Sequence, residues 1–168
     1  MDWLFGVQGK DFILLGGDRA SVGNSIIKYQ DSDHKIAKIS DNQLMACVEE
    51  SYNKKNFPKL AKANLELYFF KNDHRLTTDE SAAYIRKELA EGIRSSPHQC
   101  NCLLAGYNND GPKLYWIDYL GSYIKKCINE LKTRFSINMA NFDVFKISKD
   151  GIEDVSNKFN KVHEINIL

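Results

Sequence analysis

The spacing of the apolar residues changes several times along this chain, and those changes limit the fold more than any other feature. Short apolar runs bounded by turn residues come first, which is typical of β-strands, and two segments with helical spacing follow. Further runs, one more helical segment and a last pair of runs complete the chain. Because strands and helices are grouped rather than alternating singly, the order indicates an α+β fold in which helices cover antiparallel sheets.

The first third of the chain is predicted to be mostly sheet. Strands are expected at residues 3–7, 12–15, 25–29, 35–39 and 44–48. Gly9 and Asp11 are turn residues, so the first two runs predict a β-hairpin. The polar residues 30–34 are expected to turn between the third and fourth runs.

Three helices are predicted from apolar residues that recur on one face. The first begins near Asn56 with Pro58 in its first turn, and the second follows a capping box formed by Thr77 and Glu80. The three predicted core faces are Leu60, Ala63, Leu67 and Phe70; Ala82, Ile85, Leu89 and Ile93; and Ile124, Cys127, Ile128, Leu131 and Phe135.

Two later hairpins are predicted around strong turn signals. Residues 101–107 and 113–119 flank an Asn-Asn-Asp-Gly-Pro sequence, and residues 142–147 and 152–155 flank Lys-Asp-Gly. The tail, residues 157–168, has no clear period. We therefore expect a single domain over residues 1–168 with a C-terminal tail.

Composition excludes several classes of function. The 168 residues are 43% hydrophobic with a net charge of +1, and the lysines are scattered, so nucleic-acid binding has little support. The apolar runs are too short to cross a membrane, and no secretory signal is recognisable near Met1, so we expect a location in the cytoplasm and nucleus. There we expect reduced thiols and no disulfide at Cys47, Cys100, Cys102 and Cys127.

Several strings in order along the chain carry a resemblance to a known family. They are Phe5-Gly6-Val7-Gln8-Gly9-Lys10-Asp11-Phe12, Gly17-Asp18-Arg19-Ala20, Asp33-His34-Lys35, Leu103-Leu104-Ala105-Gly106-Tyr107 and Gly111-Pro112-Lys113-Leu114-Tyr115-Trp116-Ile117-Asp118-Tyr119. They resemble proteasome beta subunits. Later strings, among them Glu130-Leu131-Lys132-Thr133-Arg134-Phe135 and Lys149-Asp150-Gly151-Ile152, resemble most the type-2 beta subunit at the fourth position of the beta ring. The resemblance runs from Met1 to about Asn157.

The resemblance implies an αββα sandwich of the N-terminal-nucleophile (Ntn) hydrolase type, with two antiparallel sheets between helical layers. It also exposes a departure, because residues Leu120 to Ser122 pass almost directly to Tyr123 where relatives have a loop and a further helix. About 30 residues are missing there, roughly what two average helices and a connection occupy. One helical layer is then shortened and apolar surface is exposed. Either partners cover that surface or the sequence omits native residues, and we favour omission.

The resemblance also defines where an active site would lie. Catalytic relatives use an N-terminal threonine, freed from a propeptide, with an aspartate and a lysine nearby. Asp2 stands at the position of that threonine, with no sign of a propeptide, and a carboxylate cannot act as the hydroxyl nucleophile. Asp18 and Lys35 match the auxiliary positions, where we interpret them as a vestigial ion pair of the scaffold.

Other candidate sites have weaker support. His98, Cys100 and Cys102 resemble half of a zinc site but lack a fourth ligand, so no metal or other cofactor is expected. A cysteine protease built on Cys47 or Cys127 has no supporting motif, because both thiols lie in apolar runs. The lysines at positions 54, 55, 59 and 62 are interpreted as a solvated helix face.

Two hypotheses for function follow. The preferred one is a non-catalytic structural subunit of the 20S proteasome in protein degradation, in contact with neighbouring beta subunits, an alpha ring and the opposite beta ring, without a small-molecule substrate. The alternative is an active threonine-type peptidase subunit of the Ntn class. Because Tyr68, Phe69 and Phe70 cannot all face one core from a single helix, at least one is expected to meet a neighbouring subunit. The apolar residues of segment 162–168 are expected to reach another.

Overall fold

A computed structural model describes residues 4–23, 26–29, 35–49, 56–94, 97, 100–125 and 142–158. Helices α1 (Asn56–Asn72) and α2 (Thr78–Gly92) lie in these ranges, and residues 156–158 are also helical. The strands are β1 (Leu4–Gln8), β2 (Phe12–Asp18), β3 (Ala20–Gly23), β4 (Ile26–Tyr29), β5 (Ile36–Ser40), β6 (Gln43–Glu49), β7 (Cys100–Asn108), β8 (Gly111–Ile117), β9 (Tyr123–Lys125), β10 (Phe142–Ser148) and β11 (Gly151–Asp154). Neither α1 nor α2 is long and apolar enough to cross a membrane.

The strands form two main antiparallel sheets and a short ribbon. One sheet has the order β1-β2-β10-β11 and the other β5-β6-β7-β8-β9, while β3 and β4 form a two-stranded ribbon among the described strands. Side chains alternate between the two faces of each strand. On β6, Leu44 and Ala46 therefore belong to one hydrophobic cluster, and Met45 and Cys47 belong to another.

The two clusters define the layers. The first joins the inner faces of the two sheets, with Ile13 and Leu15 of β2 meeting Leu114 of β8. The second joins the five-stranded sheet to the helices, with Leu104 of β7 in the same cluster as Leu89 of α2. The described part of the chain thus contains a helical layer on two stacked sheets, which is the expected arrangement of an αββα sandwich.

The three predicted hairpins are confirmed. β1 pairs with β2, β7 with β8 and β10 with β11, all antiparallel. Gly111 and Gly151 have φ angles of +107° and +113°, a backbone region that favours glycine at these turns. The turn between β7 and β8 is shorter than predicted, because Asn108 and Gly111 already pair in the sheet.

The pairing predicted for the third and fourth strands is wrong. Both strands exist, as β4 and β5, but β4 pairs with β3 and β5 pairs with β6. The sequence of β3, Ala20–Gly23, contains serine and glycine and so gives only a weak strand signal. Because β3 is not recognisable in the sequence, the spacing of apolar residues suggests β5 as the partner of β4.

Helix α1 exists as predicted, but the predicted core face is wrong. Phe57 and Ala61 are buried, whereas Leu60, Leu67 and Phe70 are exposed. The helix carries apolar residues on more than one face, so spacing alone cannot select the buried one. Phe57 and Ala61 belong to the cluster shared with β5 and β6, and the small Ala61 allows the helix to approach the sheet closely.

Helix α2 and its capping box are confirmed. Glu80 N–H donates to Thr77 Oγ1, and the Thr77 N–H donates to Glu80 Oε2 at 2.8 Å. Of the predicted core residues, Ala82, Ile85 and Leu89 are buried, whereas the prediction is wrong for Ile93, which lies just past the end of α2 and is exposed. Two of the N–H groups that have no partner within the helix are thereby satisfied, which fixes where α2 begins.

The capping box predicts an acid-sensitive contribution to stability. Hydrogen bonds from the backbone N–H and hydroxyl of Thr77 lower the pKa of Glu80. A lowered pKa in the folded state means that the stabilisation is present above the ordinary glutamate pKa of about 4.3 and is lost as the pH falls. We expect the free energy of unfolding of Glu80→Gln to fall less steeply with decreasing pH than that of the wild type, as measured by urea denaturation at several acidic pH values. An equally steep fall in both proteins would contradict this role of Glu80.

The start of α2 is also tied to the sheet through Tyr115. The buried Tyr115 hydroxyl donates to Asp79 Oδ1, and Lys113 Nζ of the same strand lies 3.7 Å from Asp79 Oδ2 and 2.5 Å from Asp110 Oδ2. Burial, followed by the bond to Asp79, raises the pKa of Tyr115. The neutral phenol is therefore favoured by the folded state.

Tyr115→Phe is expected to lower the free energy of unfolding by roughly 1.5–3 kcal/mol, because a hydrogen bond to a carboxylate is lost. A raised pKa also means that the wild type loses stability as the pH rises past the ordinary tyrosine value of about 10. The alkaline slope should be shallower in the Phe variant. Denaturation curves of both proteins between pH 8 and 11 test this, and parallel slopes would refute it.

The predicted start of the third helix is wrong. Residues Tyr123–Lys125 form β9 and pair antiparallel with β8, with Trp116 opposite Ile124. The rest of the predicted helix lies outside the described residues, as does the tail beyond Lys158. β9 follows the point where residues were expected to be missing. The exposed apolar side chains Trp116, Tyr119, Leu120 and Tyr123 lie around it, which agrees with the expected exposure of apolar surface there.

The turn before β9 is stabilised by hydrogen bonds from residues that precede β9 in the sequence. Asp118 Oδ1 accepts hydrogen bonds from the N–H groups of Leu120 and Ser122, at 3.0 and 2.7 Å. Gly121 has a φ of +78°, and its carbonyl accepts a bond from Arg86 Nε of α2 at 2.8 Å. A Cβ on Gly121 would lie 2.7 Å from the Cβ of Ala90, so the turn contacts α2 closely.

Candidate functional site

The structure brings the two predicted auxiliary residues together. Asp18 is the last residue of β2, and Lys35 immediately precedes β5. Lys35 Nζ donates to Asp18 Oδ1 at 2.6 Å, with only 13% and 8% of the two side chains exposed. Asp18 and Lys35 thus form a nearly buried ion pair at the ends of strands from two different sheets.

A second ion pair lies beside the first. Arg19 follows Asp18, and its Nε and Nη2 atoms lie 2.6 and 2.5 Å from Asp143 Oδ1. Asp143 is buried on β10, where it pairs in register with Gly17. The pairing of β2 with β10 therefore places the Arg19–Asp143 pair next to the Asp18–Lys35 pair.

Gly17, the residue before Asp18 on β2, lies close to two neighbouring segments. A Cβ at this position would lie 3.0 Å from Leu4 Cδ2 and 3.6 Å from the Cβ of Lys35. The contact with Leu4 would be tight, whereas the contact with Lys35 would be an ordinary van der Waals contact. The backbone of β2 at Gly17 thus lies close to both Leu4 of β1 and Lys35.

The four charged residues can fix charge and position, but they offer no nucleophile of their own. A carboxylate and an ammonium group beside each other stabilise charge that develops on a neighbouring reacting group. Acyl transfer of the Ntn kind also requires a hydroxyl or thiol on an N-terminal residue. Asp2, the residue expected at that position, lies outside the described residues.

Sequence reasoning missed Arg19 and Asp143 as members of this cluster. Arg19 stands inside one of the strings that carried the resemblance, but nothing in the sequence indicates its partner. Asp143 is 124 positions away and reaches Arg19 only through the pairing of β2 with β10. A contact at that separation follows from sheet topology and has no local signal.

The alternative sites are not assembled in the described ranges. Cys100 and Cys102 are buried on one face of β7, and Cys102 Sγ lies 3.0 Å from Cys47 Sγ across the β6–β7 ladder. His98 and Cys127 lie outside those ranges. Within the described residues there is no cluster of three His, Cys, Asp or Glu residues suited to a metal ion.

Comparison with known proteins identifies the class. Two stacked antiparallel sheets with helices on one of them, and a buried Asp–Lys pair at the strand ends, define an Ntn-hydrolase-like αββα sandwich. The family described as "Proteasome subunit" matches residues 4–145. The chain belongs to the proteasome subunit family.

The relatives are beta subunits by name. "Proteasome subunit beta type-2-A" of Arabidopsis thaliana is 29% identical over 190 positions, which cover 92% of this chain and 93% of the relative. "Proteasome subunit beta type-4" of Saccharomyces cerevisiae is 29% identical over 194 positions, covering 92% and 97%. "Proteasome subunit beta type-2" of Dictyostelium discoideum is 36% identical over 129 positions, covering 74% and 65%.

The lengths of these alignments bear on the missing stretch. The Arabidopsis alignment spans 190 positions, more than the 168 residues of this chain, so the chain lacks residues that this relative has. The yeast alignment, at 194 positions, leads to the same conclusion. Both agree with the shortening expected from the sequence.

Proposed function

We propose that this chain is a non-catalytic, structural beta subunit of the 20S proteasome core particle. The observation that carries the proposal is the similarity to beta type-2 subunits over more than nine-tenths of the chain. The subunit would complete a beta ring used in protein degradation. Its contacts would be two neighbouring beta subunits, an alpha ring and the opposite beta ring, and the particle would lie in the cytoplasm and nucleus.

The absence of catalysis is part of the proposal. Aligning Phe5-Gly6-Val7 with catalytic relatives puts Asp2 where their threonine nucleophile stands. A carboxylate in that position has no hydroxyl to attack a peptide carbonyl. Asp18 and Lys35 would then serve to hold β2 and β5 together rather than to tune a nucleophile.

Native purification of the endogenous protein followed by mass spectrometry tests the structural role. We expect recovery in a large cylinder with distinct alpha and beta subunits, and recovery only as a free monomer or homo-oligomer would overturn the proposal. The intact mass answers a second question. A value near 19.3 kDa would show that the chain is naturally short, whereas a value several kDa higher would show that the sequence omits residues.

One observation favours the alternative, an active threonine-type peptidase subunit: the Asp18–Lys35 pair is retained with direct contact between the charged atoms. An electrophilic probe that forms a covalent adduct with N-terminal threonines separates the two functions. We expect the probe to label the catalytic subunits of the same particle, which serve as the internal control, and to leave this chain unlabelled. An adduct on this chain would establish the alternative.

A further inference from the structure

Three cysteine side chains lie together in the core between the five-stranded sheet and the helices. Cys47 of β6 belongs to the same hydrophobic cluster as Cys100 and Cys102 of β7, and all three are reduced thiols in the described structure. Cys102 Sγ lies 3.0 Å from Cys47 Sγ and 3.9 Å from Cys100 Sγ. Cys102 is therefore the central thiol of the group.

The pairing of β6 with β7 places Cys47 directly opposite Cys102. The Cys47 N–H donates to the carbonyl of Lys35 at 3.1 Å, on the side of β5, so the backbone polar groups of Cys47 point away from β7. On β7, the Tyr107 N–H donates towards β6, to the carbonyl of Asn42, and Cys102 is an odd number of residues away, so its polar groups point the other way. Cys47 and Cys102 thus form a non-hydrogen-bonded pair of the ladder.

A pair of this kind has the geometry that a disulfide requires. Opposite residues in a non-hydrogen-bonded pair have Cα atoms about 4.5 Å apart, within the range of about 4.4–6.8 Å that disulfides span. The two side chains lie on the same face of the sheet. Their sulfur atoms need to approach by only about 1 Å to reach the S–S bond length of about 2.05 Å.

Cys100 is a less suitable partner for Cys102, although its sulfur is also near. One residue separates them on β7, so their Cα atoms are about 6.6–6.8 Å apart at the usual rise of a strand, which is the upper limit for a disulfide. Their sulfur atoms are also farther apart than those of Cys47 and Cys102. The geometry therefore selects Cys47 as the partner of Cys102.

We propose that Cys47 and Cys102 form an oxidation-sensitive thiol pair, which hydrogen peroxide converts reversibly into a cross-strand disulfide. Cys47 is 8% exposed whereas Cys102 is completely buried, so the oxidant reaches Cys47 first. Peroxide transfers one oxygen to the Cys47 sulfur, which becomes a sulfenic acid, and the remainder leaves as water. The Cys102 sulfur then attacks the sulfenic sulfur and the S–O bond breaks. The departing hydroxide takes the proton of the Cys102 thiol and forms a second water.

Burial affects the two steps differently. The first step is slow, because peroxide must reach a sulfur that is mostly buried. The second step needs no encounter, since the Cys102 thiol already contacts the Cys47 sulfur, and it competes well with further oxidation to the sulfinic acid. In a reducing compartment the pair stays reduced and forms the disulfide only when the peroxide concentration rises.

The disulfide would close a covalent loop that contains the described helical layer. Residues 48–101, between the two cysteines, include the whole of α1 and α2. A cross-link over a loop of this size restricts the unfolded chain and thereby stabilises the folded state. Oxidation would therefore make the chain more resistant to unfolding. This inference goes beyond the proposed function and does not depend on entry of the chain into a particle.

Peroxide treatment of the folded full chain tests the proposal. The remaining thiols are alkylated after denaturation, and the intact mass and the unreduced peptides are measured by mass spectrometry. Before alkylation we expect a mass loss of about 2 Da, from two hydrogen atoms, and then a cross-linked pair of peptides that contain Cys47 and Cys102. Dithiothreitol should restore the original mass. The thermal unfolding midpoint of the oxidised chain should be higher by about 5 °C or more.

Alanine variants distinguish the partners. Cys100→Ala is the matched control, because it removes a buried thiol of the same group and should still form the disulfide. Cys102→Ala should not form it, and Cys47 should instead gain oxygen, with mass increases of about 16 and 32 Da for the sulfenic and sulfinic acids. The mapping of the wild type needs no variant, so a variant that folds poorly does not decide the result.

The same treatment of the chain unfolded in urea shows what the folded geometry contributes. We expect a mixture of pairings there, against one dominant pairing in the folded chain. A dominant cross-link through Cys100 or Cys127 in the folded wild type would overturn the proposal. So would sulfinic acid at Cys47 without a disulfide, or an unchanged mass under conditions that oxidise the unfolded chain.

Discussion

Lys35→Met will lower the free energy of unfolding by about 3–5 kcal/mol, the range for breaking a buried ion pair by removing one partner. The substitution keeps the length of the side chain but removes the ammonium group that lies 2.6 Å from Asp18 Oδ1. Asp18 then remains in a nearly buried position without that ammonium group. Urea denaturation of the full chain measures the loss.

The matched control replaces both partners. Asp18→Asn combined with Lys35→Met removes both charges of the pair, so the double variant is expected to be more stable than Lys35→Met alone. Urea denaturation of the wild type, Lys35→Met, Asp18→Asn and the double variant gives the coupling energy between the two side chains, which isolates the contribution of the pair. A loss below about 1 kcal/mol for Lys35→Met would show that the contact behaves as an exposed salt bridge and does not hold β2 to β5.

Phe57→Ala and Phe70→Ala will differ strongly although both remove a phenylalanine from the same helix. Phe57 is 2% exposed and packs in the cluster beneath α1, so its loss should cost about 3–5 kcal/mol. Phe70 is 79% exposed, and its replacement should change stability by no more than about 0.5 kcal/mol. Urea or thermal denaturation of the two variants gives both values.

This comparison decides which face of α1 meets the sheet. The spacing of Leu60, Ala63, Leu67 and Phe70 predicted the opposite result, with Phe70 in the core. Equal losses for the two variants, or a larger loss for Phe70→Ala, would show that the helix is rotated relative to the described structure. The expected result would leave Phe70 available for contact with another protein.

The sequence predicts the elements of this fold well where local chemistry specifies them. The turns at Gly111 and Gly151 and the capping box of Thr77 and Glu80 are each encoded within a few residues, and all of them are present. The pairing of β4 and the buried face of α1 were predicted wrongly. Both depend on which surfaces meet across the whole domain, and no short window of sequence contains that information.

The same distinction applies to the candidate site. Asp18 and Lys35 were identified through strings that resemble a family, and the structure places them in contact. Whether they would pair could not be predicted from the sequence, because their strands belong to different sheets. Arg19 and Asp143 were missed for a related reason, since their contact follows from the register of β2 with β10.

The turn that precedes β9 is held by residues that come before the point where the chain is expected to be shortened. Asp118 closes the turn through its own hydrogen bonds to Leu120 and Ser122, and Arg86 holds Gly121 against α2. All of these contacts are made by residues at or before Ser122. A change of length immediately after Ser122 would therefore leave these contacts of the turn in place, whereas the pairing of β9 with the end of β8 would have to form across a longer or shorter connection.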